Sequence, residues 1–454
     1  MLRKSRLRAG LLAVILAVAV LVLAPPLADA QGRELRFVRD AEIEEIIRTY
    51  SNPMFEAAGL DAQAVDVFLI NDKSLNAFVA GGMNMFLHTG LLQEADDPLQ
   101  VMGVIGHEAG HIAGSHIAGR RQQMDRTAAQ MIASYVIGFG AALATGRADV
   151  AMAAITAGQS LSIGDMLAYS RSQEQAADQA GVTYLRRAGY SPEGLLEFMS
   201  SMQDQEALLS GNQEPYLRTH PLTRERMQFL EQAVEESPHK GEPAPEAFQE
   251  MHARMHAKLD GFLEAPASTL RKYDGQDTIQ ARYARAIAYF RVPDLDKALP
   301  LIDGLIDDHP EDPYFHELKG QMLFQNGRVT EALEPYGRAV ELRPASPLLR
   351  LRLAEVQVQT EREDLNEPAL DHLQAVLTQE ATNATAWRLK AIAHGRTGDI
   401  GQSALALAES ALARGDLGQA RQQSARAQQL LDRHSPAWLR AQDIEREVAR
   451  RAGQ

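Results

Sequence analysis

The sequence contains no cysteine among its 454 residues, and aromatic residues make up only 6% of it. Disulfide bonds are therefore excluded, so stability must come from side-chain packing and from any metal that the chain binds. Hydrophobic residues at 45% and charged residues at 23% are the proportions of a globular chain, which excludes global disorder. Acidic side chains outnumber basic ones, 60 to 46, which disfavours nucleic acid and anionic lipid as partners.

Long apolar runs are also scarce, and the clearest one stands at the N-terminus. A basic segment at positions 3–8 precedes the apolar run Leu11–Ala24, and Ala28-Asp29-Ala30 matches an A-x-A cleavage signal. The run is short for a membrane span. We therefore expect residues 1–30 to be a signal peptide, and the absence of cysteine after it excludes lipid attachment there.

The remaining chain divides into three regions by composition and pattern. Residues 31–236 mix strand and helix signals and hold the histidine cluster. Ser237–Pro245 is rich in proline and marks a boundary. We expect residues 237–277 to be a linker with a connecting helix, and residues 278–454 to form a helical repeat domain.

The repeat has a period of 34 residues, which separates Pro310 from Pro344 and Ala298 from Ala332. Helix pairs with this period are typical of tetratricopeptide repeats, and the unit Pro313–Ser346 fits that pattern best. The alternative is an unrelated helical array. A tetratricopeptide solenoid would present a concave surface to partner proteins.

Three short apolar segments in the first region predict strands: Val65–Ile70, Leu75–Val79 and Met83–His88. Gly81-Gly82 joins the second to the third. We expect these strands to form a small antiparallel sheet.

A helix should follow this sheet. Asp97 is a good N-cap, Pro98 suits the first helical position, and Gln100 has the spacing of a capping box. The pattern predicts a helix from Pro98 past His116.

On that helix His107 and His111 lie four residues apart and therefore share one face. Two imidazoles at this separation can reach one zinc ion. Glu108 points elsewhere but can reach a water molecule at the metal, which is the arrangement of H-E-x-x-H metallopeptidases. Gly106 and Gly110 are small, so this helix can approach other elements closely.

The motif H-E-x-x-H alone also fits a helix with two solvated or core histidines. A zinc site needs a third ligand, and Glu174 can supply it. Asp178 lies on the same helix face and can accept a hydrogen bond from a ligating histidine. His116 competes as third ligand, but it lies about 140° around the helix from His111 and should point elsewhere.

HEAGH followed by SRSQEQAAD resembles the HExxH zinc metallopeptidase family that includes the CAAX prenyl protease and a bacterial heat-shock membrane protease. The second motif of that family, S-R-x-x-E-x-x-A-D, is matched by Ser170, Arg171, Glu174, Ala177 and Asp178. Asn76–Gly82 and Thr219–Pro221, with Arg226 after it, resemble the flanking motifs. The order of signal peptide, peptidase and repeats resembles the periplasmic branch of the family.

This resemblance implies a mainly α protein, with a zincin-like α+β metallopeptidase domain over residues 31–236 and an α-helical tetratricopeptide solenoid behind it. It implies one Zn²⁺ per chain on His107, His111 and Glu174, with Glu108 as general base. The expected function is a periplasmic zinc endopeptidase that cleaves unfolded or misassembled envelope proteins. The outer-membrane protein assembly machinery would bind the repeats. The alternative is a chaperone or assembly scaffold that rarely cleaves.

Two further site assignments follow. An extended substrate can add to the strand that contains Asn76, Ala77 and Phe78. Pro221 biases His220 toward an extended conformation, outside a helix. His220 could donate to the oxyanion of the tetrahedral intermediate, could occupy the open fourth position on zinc, or could be a surface residue without a role.

A second apolar stretch, Thr127–Gly146, is uncharged and barely long enough to span a membrane. We expect a mobile amphipathic or lid segment that can touch a membrane surface, with a buried hairpin as the alternative.

Three other histidines are interpreted as structural. His252 and His256 lie four apart with no glutamate after the first, so we expect a solvated helix face. His88 ends a strand near the zinc helix, and we expect it to pack there without a further role.

Overall fold

The structure is a computed structural model, and it describes residues 36–115, 170–208 and 215–452. The elements of the first region are β1 (Phe37–Val38), α1 (Ala41–Ala57), β2 (Asp66–Ile70), β3 (Ala77–Ala80), β4 (Asn84–His88), α2 (Thr89–Glu94), α3 (Pro98–Ala113), α4 (170–187), α5 (Glu193–Leu208), α6 (Pro215–Thr219) and α7 (Arg224–Glu235). Residues 1–30 and 127–146, for which we predict a signal peptide and a lid segment, lie outside the described residues. Within the described ranges, no helix is long and apolar enough to cross a membrane.

The sheet has the strand order β1-β2-β4-β3. Gly81 and Gly82 form the tight turn between β3 and β4, with φ of 59° and 100°, and these two strands are antiparallel as expected. The expectation is wrong for β2 and β4, which are parallel. After β2 the chain passes the position of β4 and forms β3 in the opposite direction. The turn at Gly81-Gly82 then brings β4 back between β2 and β3, parallel to β2. Phe68 and Phe78 both stack on Phe86 of β4, at centroid distances of 5.2 and 4.9 Å.

Helix α3 begins as predicted and ends earlier than predicted. The Asp97 carboxylate accepts a hydrogen bond from the backbone N–H of Leu99 at 2.8 Å, which caps the first turn. The helix ends at Ala113, and Ser115 has a φ of 53°, a left-handed conformation that no helix continues through. The expectation that α3 runs past His116 is therefore wrong, and His116 itself lies outside the described residues.

Glycines bring α3 and α4 into backbone contact. A Cβ atom on Gly110 would lie 2.9 Å from Cβ of Ala180, and one on Gly181 would lie 3.1 Å from the backbone nitrogen of His107. Gly106 packs against Gly181 in the same way. The close approach that the small residues predict is confirmed, and α4 brings its own polar side chains next to the histidines of α3.

The connecting region and the repeats are helical. Their elements are α8 (Glu246–Leu263), α9 (Pro266–Lys272), α10 (Ile279–Arg291), α11 (Leu295–Asp308), α12 (Pro313–Gln325), α13 (Leu333–Leu342), α14 (Pro347–Gln359), a 3₁₀ turn (Glu363–Leu365), α15 (Asn366–Gln379), α16 (Ala384–Arg396), α17 (Ile400–Ala413), α18 (Leu417–Leu430) and α19 (Pro436–Ala452). Gly320 of α12 lets the ring of Tyr336 in α13 approach, since a Cβ there would lie 2.7 Å from the ring. This is the close helix pairing of the predicted repeat unit, and the expected fold class is confirmed.

Helix α8 joins the peptidase region to the repeats through a buried ionic network. The Lys258 ammonium lies 2.8 Å from Asp40 and 3.2 Å from Glu42 of the first region. The hydroxyl of Tyr283 in α10 donates to Glu42 at 2.8 Å. The Lys258 ammonium and the two carboxylates neutralise one another in the interior. Removing any of these side chains would therefore leave a buried charge without its partner.

Helix α8 also corrects the interpretation of its two histidines. His252 and His256 do not form a solvated face, because both donate Nε2–H to the carbonyl oxygen of Ala95, at 2.6 and 2.9 Å. His252 is buried, and α8 packs this side against the corner between α2 and α3. His88 is buried as expected, with its Nδ1 2.9 Å from the Ser74 hydroxyl oxygen.

Candidate metal centre and active site

Four buried side chains converge on one point. Ligand atoms of His107, His111, Glu174 and His220 all lie within 4.8 Å of one another. Nε2 of His111 is 3.2 Å from Nε2 of His107, and each is 3.5 Å from an oxygen of Glu174. Nδ1 of His220 is 2.9 Å from Oε2 of Glu174. Atoms this close can share one cation.

Three elements place these groups. Helix α3 presents His107 and His111 one turn apart, and α4 presents Glu174 and Asp178 one turn apart on the facing side. His220 follows the last residue of α6, outside a regular helix as Pro221 predicts, although its backbone N–H still donates to the carbonyl of Tyr216 at 2.7 Å.

The donor set fits a metal ion. Asp178 accepts a hydrogen bond from Nδ1 of His107 at 2.9 Å, which directs the Nε2 lone pair into the cluster. Oε1 of Glu174 is buried and accepts no hydrogen bond from the described residues, although Nε2 of His111 lies 3.5 Å from it. Such an atom is costly to bury unless a cation or a donor meets it. Imidazole nitrogen and carboxylate oxygen are ligands that zinc accepts.

Arg226 supports this cluster from α7. Its Nε and Nη2 donate to the two oxygens of Asp178 at 2.6 and 2.8 Å, and its Nη1 lies 3.3 Å from Oε2 of Glu174. Nη1 also donates to the carbonyl of Pro221 at 2.9 Å. One buried guanidinium thus holds the orienting carboxylate and the segment that carries His220.

Electrostatics keep the carboxylates ionised. Burial raises the pKa of Glu174, but hydrogen bonds from His107 and His220 outweigh it and hold that pKa far below the usual range. Burial likewise raises the pKa of Asp178, and Arg226 and His107 lower it overall. Burial lowers the pKa of His107, while Asp178 and Glu174 raise it to about 9. The two carboxylates thus favour a positive charge on the neighbouring imidazole, and the same negative potential would stabilise a cation bound in its place.

Glu108 lies beside the cluster and is fully buried, with Oε1 3.4 Å from Nε2 of His220. The predicted substrate strand lies near it, since β3 packs against α3. Asn76 and Ala77 are buried and Phe78 is half-buried. In the described sheet β3 is an edge strand, so one side of its backbone is open to pairing.

Two residues of the site were not singled out from the sequence. The family resemblance includes Arg226 in a flanking motif but implies no role for it, and no sequence pattern points to Tyr216. The ring of Tyr216 stacks on the imidazole of His220 at 4.6 Å. A spacing of four residues before His220 is the one signal for it in the sequence, and such a spacing is too common to select a tyrosine.

The sequence profile described as "Peptidase family M48" matches residues 38–234, and a tetratricopeptide repeat profile matches residues 283–347. The first profile covers every residue of the cluster. The second covers α12 and α13, the helix pair that the 34-residue period identifies.

Three curated relatives match the chain over different shares of its length. A putative beta-barrel assembly-enhancing protease of Vibrio cholerae serotype O1 is 25% identical over 91% of this chain and 86% of its own length. The beta-barrel assembly-enhancing protease of Escherichia coli K12 is 24% identical over 87% of this chain and 81% of its own length. The E. coli metalloprotease LoiP is 28% identical over 42% of this chain and 70% of its own length. The chain is therefore a metalloendopeptidase that carries a domain of peptidase family M48 followed by tetratricopeptide repeats.

Proposed function

We propose that the protein is an exported, zinc-dependent endopeptidase with one Zn²⁺ per chain, held by His107, His111 and Glu174. The observation that carries this proposal is the convergence of these ligand atoms within 4.8 Å, together with His220. Two histidines and a glutamate are the protein ligands of a common class of catalytic zinc site, which keeps a fourth position open.

A zinc ion bound there supplies Lewis acidity, which lowers the pKa of water and polarises a peptide carbonyl. Glu108 accepts a proton from the attacking water as the water oxygen adds to the carbonyl carbon. It then gives that proton to the amide nitrogen as the C–N bond breaks, and the products are an acid and an amine. Asp178 keeps His107 in the tautomer that ligation needs.

For His220 we favour the fourth ligand position over a role as oxyanion donor. Its Nδ1 faces Glu174 at 2.9 Å and His107 at 3.4 Å, which is inside the ligand cluster. Its Nε2 faces Glu108 at 3.4 Å. In this arrangement the imidazole of His220 occupies the open ligand position and also contacts the general base Glu108. The enzyme is therefore inactive until His220 moves away.

The substrates that we propose are unfolded or misassembled envelope proteins in the periplasm. The open edge of β3, near Asn76, Ala77 and Phe78, suits an extended chain because strand addition reads backbone more than side chains. The predicted signal peptide supports export. The names of the Vibrio and Escherichia relatives, together with the repeat domain, support outer-membrane protein assembly as the process and its machinery as partner. The stretch 127–146 is the proposed peripheral contact with a membrane.

The first test is cleavage of unfolded casein by residues 31–454, with and without a zinc chelator. Fragments that the chelator abolishes and zinc restores support the proposal. Suppressed aggregation of casein without fragments would instead support the chaperone or scaffold function. Metal analysis of the protein as isolated distinguishes zinc from other divalent ions.

The second test identifies substrates. Glu108→Gln keeps the shape of the general base but cannot accept the proton, so it should retain metal and trap uncleaved substrate. The variant is used as a tagged bait in envelope extracts, with the wild-type protein as the control. Enrichment of cytoplasmic proteins in place of outer-membrane proteins would contradict the proposed substrate class.

A further inference from the structure

Tyr216 is anchored in the core of the peptidase domain, beside His220. Its ring stacks on the imidazole of His220 with an interplanar angle of 30°, and it meets Phe198 of α5 edge-on at 5.8 Å. Tyr216 is fully buried and belongs to the hydrophobic core of the peptidase domain. The contact with Phe198 does not involve His220, so it would still hold the phenol if His220 moved.

The hydroxyl of Tyr216 has no hydrogen-bond partner among the described residues, although it is buried. An unpaired buried hydroxyl costs free energy, and phenylalanine would supply the same ring without that cost. Tyr50 shows the usual solution, because its buried hydroxyl donates to the carbonyl of Phe248 at 3.0 Å. A packing role thus explains the ring of Tyr216 and leaves its hydroxyl unexplained.

This hydroxyl is a hydrogen-bond donor. A tyrosine hydroxyl has an ordinary pKa of about 10, so it carries its proton at neutral pH and can donate it in a hydrogen bond. The ring centroid lies 6.5 Å from that of His107. The ring that carries this donor therefore lies beside two histidines of the metal cluster, His107 and His220.

We propose that Tyr216 is a further catalytic residue, whose hydroxyl donates a hydrogen bond to the oxyanion that forms when the peptide carbonyl is attacked. This inference rests on the proposed zinc peptidase function. The tyrosine keeps its proton throughout and stabilises only the charge that develops on the carbonyl oxygen. In the resting arrangement His220 covers the ring of Tyr216, and its departure opens the space that the carbonyl would enter.

The test is Tyr216→Phe, made in the wild-type protein and in His220→Ala. Hydrolysis of an internally quenched peptide, taken from a casein cleavage site, should show a kcat lower by about 10²–10³-fold in both backgrounds. KM should change by less than roughly twofold, because the ground-state carbonyl carries little charge. A phosphinic peptide of the same sequence mimics the oxyanion, so its inhibition constant should rise by the same factor as kcat/KM falls.

Thermal unfolding of the metal-free proteins gives a readout besides activity. Tyr216→Phe should melt at or above the temperature of the wild type, because it removes a hydroxyl that has no partner. The control Tyr50→Phe removes a hydroxyl that has one, and should lower the Tm while leaving kcat unchanged.

An unchanged kcat for Tyr216→Phe would overturn the inference. A lower kcat with an unchanged inhibition constant for the phosphinic peptide would also overturn it, because the ring would then merely support the site. A Tm drop as large as that of Tyr50→Phe would show that the hydroxyl has a structural partner. If the wild type does not cleave casein in a chelator-sensitive way, the proposed peptidase function is refuted. That result differs from an active wild type whose kcat is unaffected by Tyr216→Phe, which refutes only the role of Tyr216.

Discussion

Asp178→Asn should weaken both the fold and the metal site, although the residue is not a proposed ligand. Asp178 is fully buried and accepts three hydrogen bonds, from His107 at 2.9 Å and from Arg226 at 2.6 and 2.8 Å. Asparagine has one acceptor oxygen, and its amide group would face a donor on the other side. Oδ1 of Asp178 accepts from both His107 and Nη2 of Arg226, whereas Oδ2 accepts from Nε alone. The amide therefore deprives either Nε of Arg226, or His107 and Nη2 together, of an acceptor.

The size of the effect follows from burial. Breaking a buried ion pair by removing one partner costs about 3–5 kcal/mol. Arg226 keeps Glu174 at 3.3 Å, which places the expected loss near the lower end, about 3 kcal/mol. Loss of a hydrogen bond that orients a ligating histidine typically weakens metal affinity by about 10–100-fold.

Urea unfolding in the presence of a chelator measures the first effect, and competition with a chromophoric chelator measures the second. Asp443→Asn is the matched control, because Asp443 pairs with Arg446 at 3.3 Å on the surface and should lose less than about 1 kcal/mol. If Asp178→Asn behaves like this control in both assays, the carboxylate neither holds Arg226 nor orients His107.

Four other outcomes are expected. Glu174→Ala should lose both metal and proteolysis, and full zinc occupancy by metal analysis would show that the third ligand lies elsewhere. His220→Ala should keep zinc and raise the rate of casein cleavage, whereas a lower rate with zinc retained would assign the oxyanion role to His220. A fragment of residues 246–454 should melt higher by circular dichroism than one of residues 278–454, because α8 covers α10; equal melting temperatures would contradict this packing. Burial lowers the pKa of His252 from 6.5 to about 4, so the unfolded chain binds the proton more readily, and the free energy of unfolding should fall as the pH drops across that interval. His252→Gln should flatten this fall, and an unchanged pH profile would place the titration elsewhere.

The sequence alone determined the features that depend on neighbours along the chain. The spacing of four between His107 and His111 places them on one face of any helix, and the same holds for Glu174 and Asp178. Asp97 caps α3 because an N-cap needs only the two or three residues after it. The 34-residue period fixed the repeat pairs, since each pair buries its face against the next.

Only the tertiary structure decided how distant segments meet. The parallel pairing of β2 with β4 follows from which strand occupies the centre of the sheet, and the apolar pattern of a strand does not encode its neighbour's direction. The absence of a glutamate after His252 predicts a solvated face for His252 and His256, whereas both donate to the carbonyl of Ala95, 157 positions before His252. The hydrogen bonds of Arg226 to Asp178 and the place of Tyr216 beside His220 likewise depend on how α4, α6 and α7 pack. Burial makes such contacts strong, and burial is a property of the packed chain.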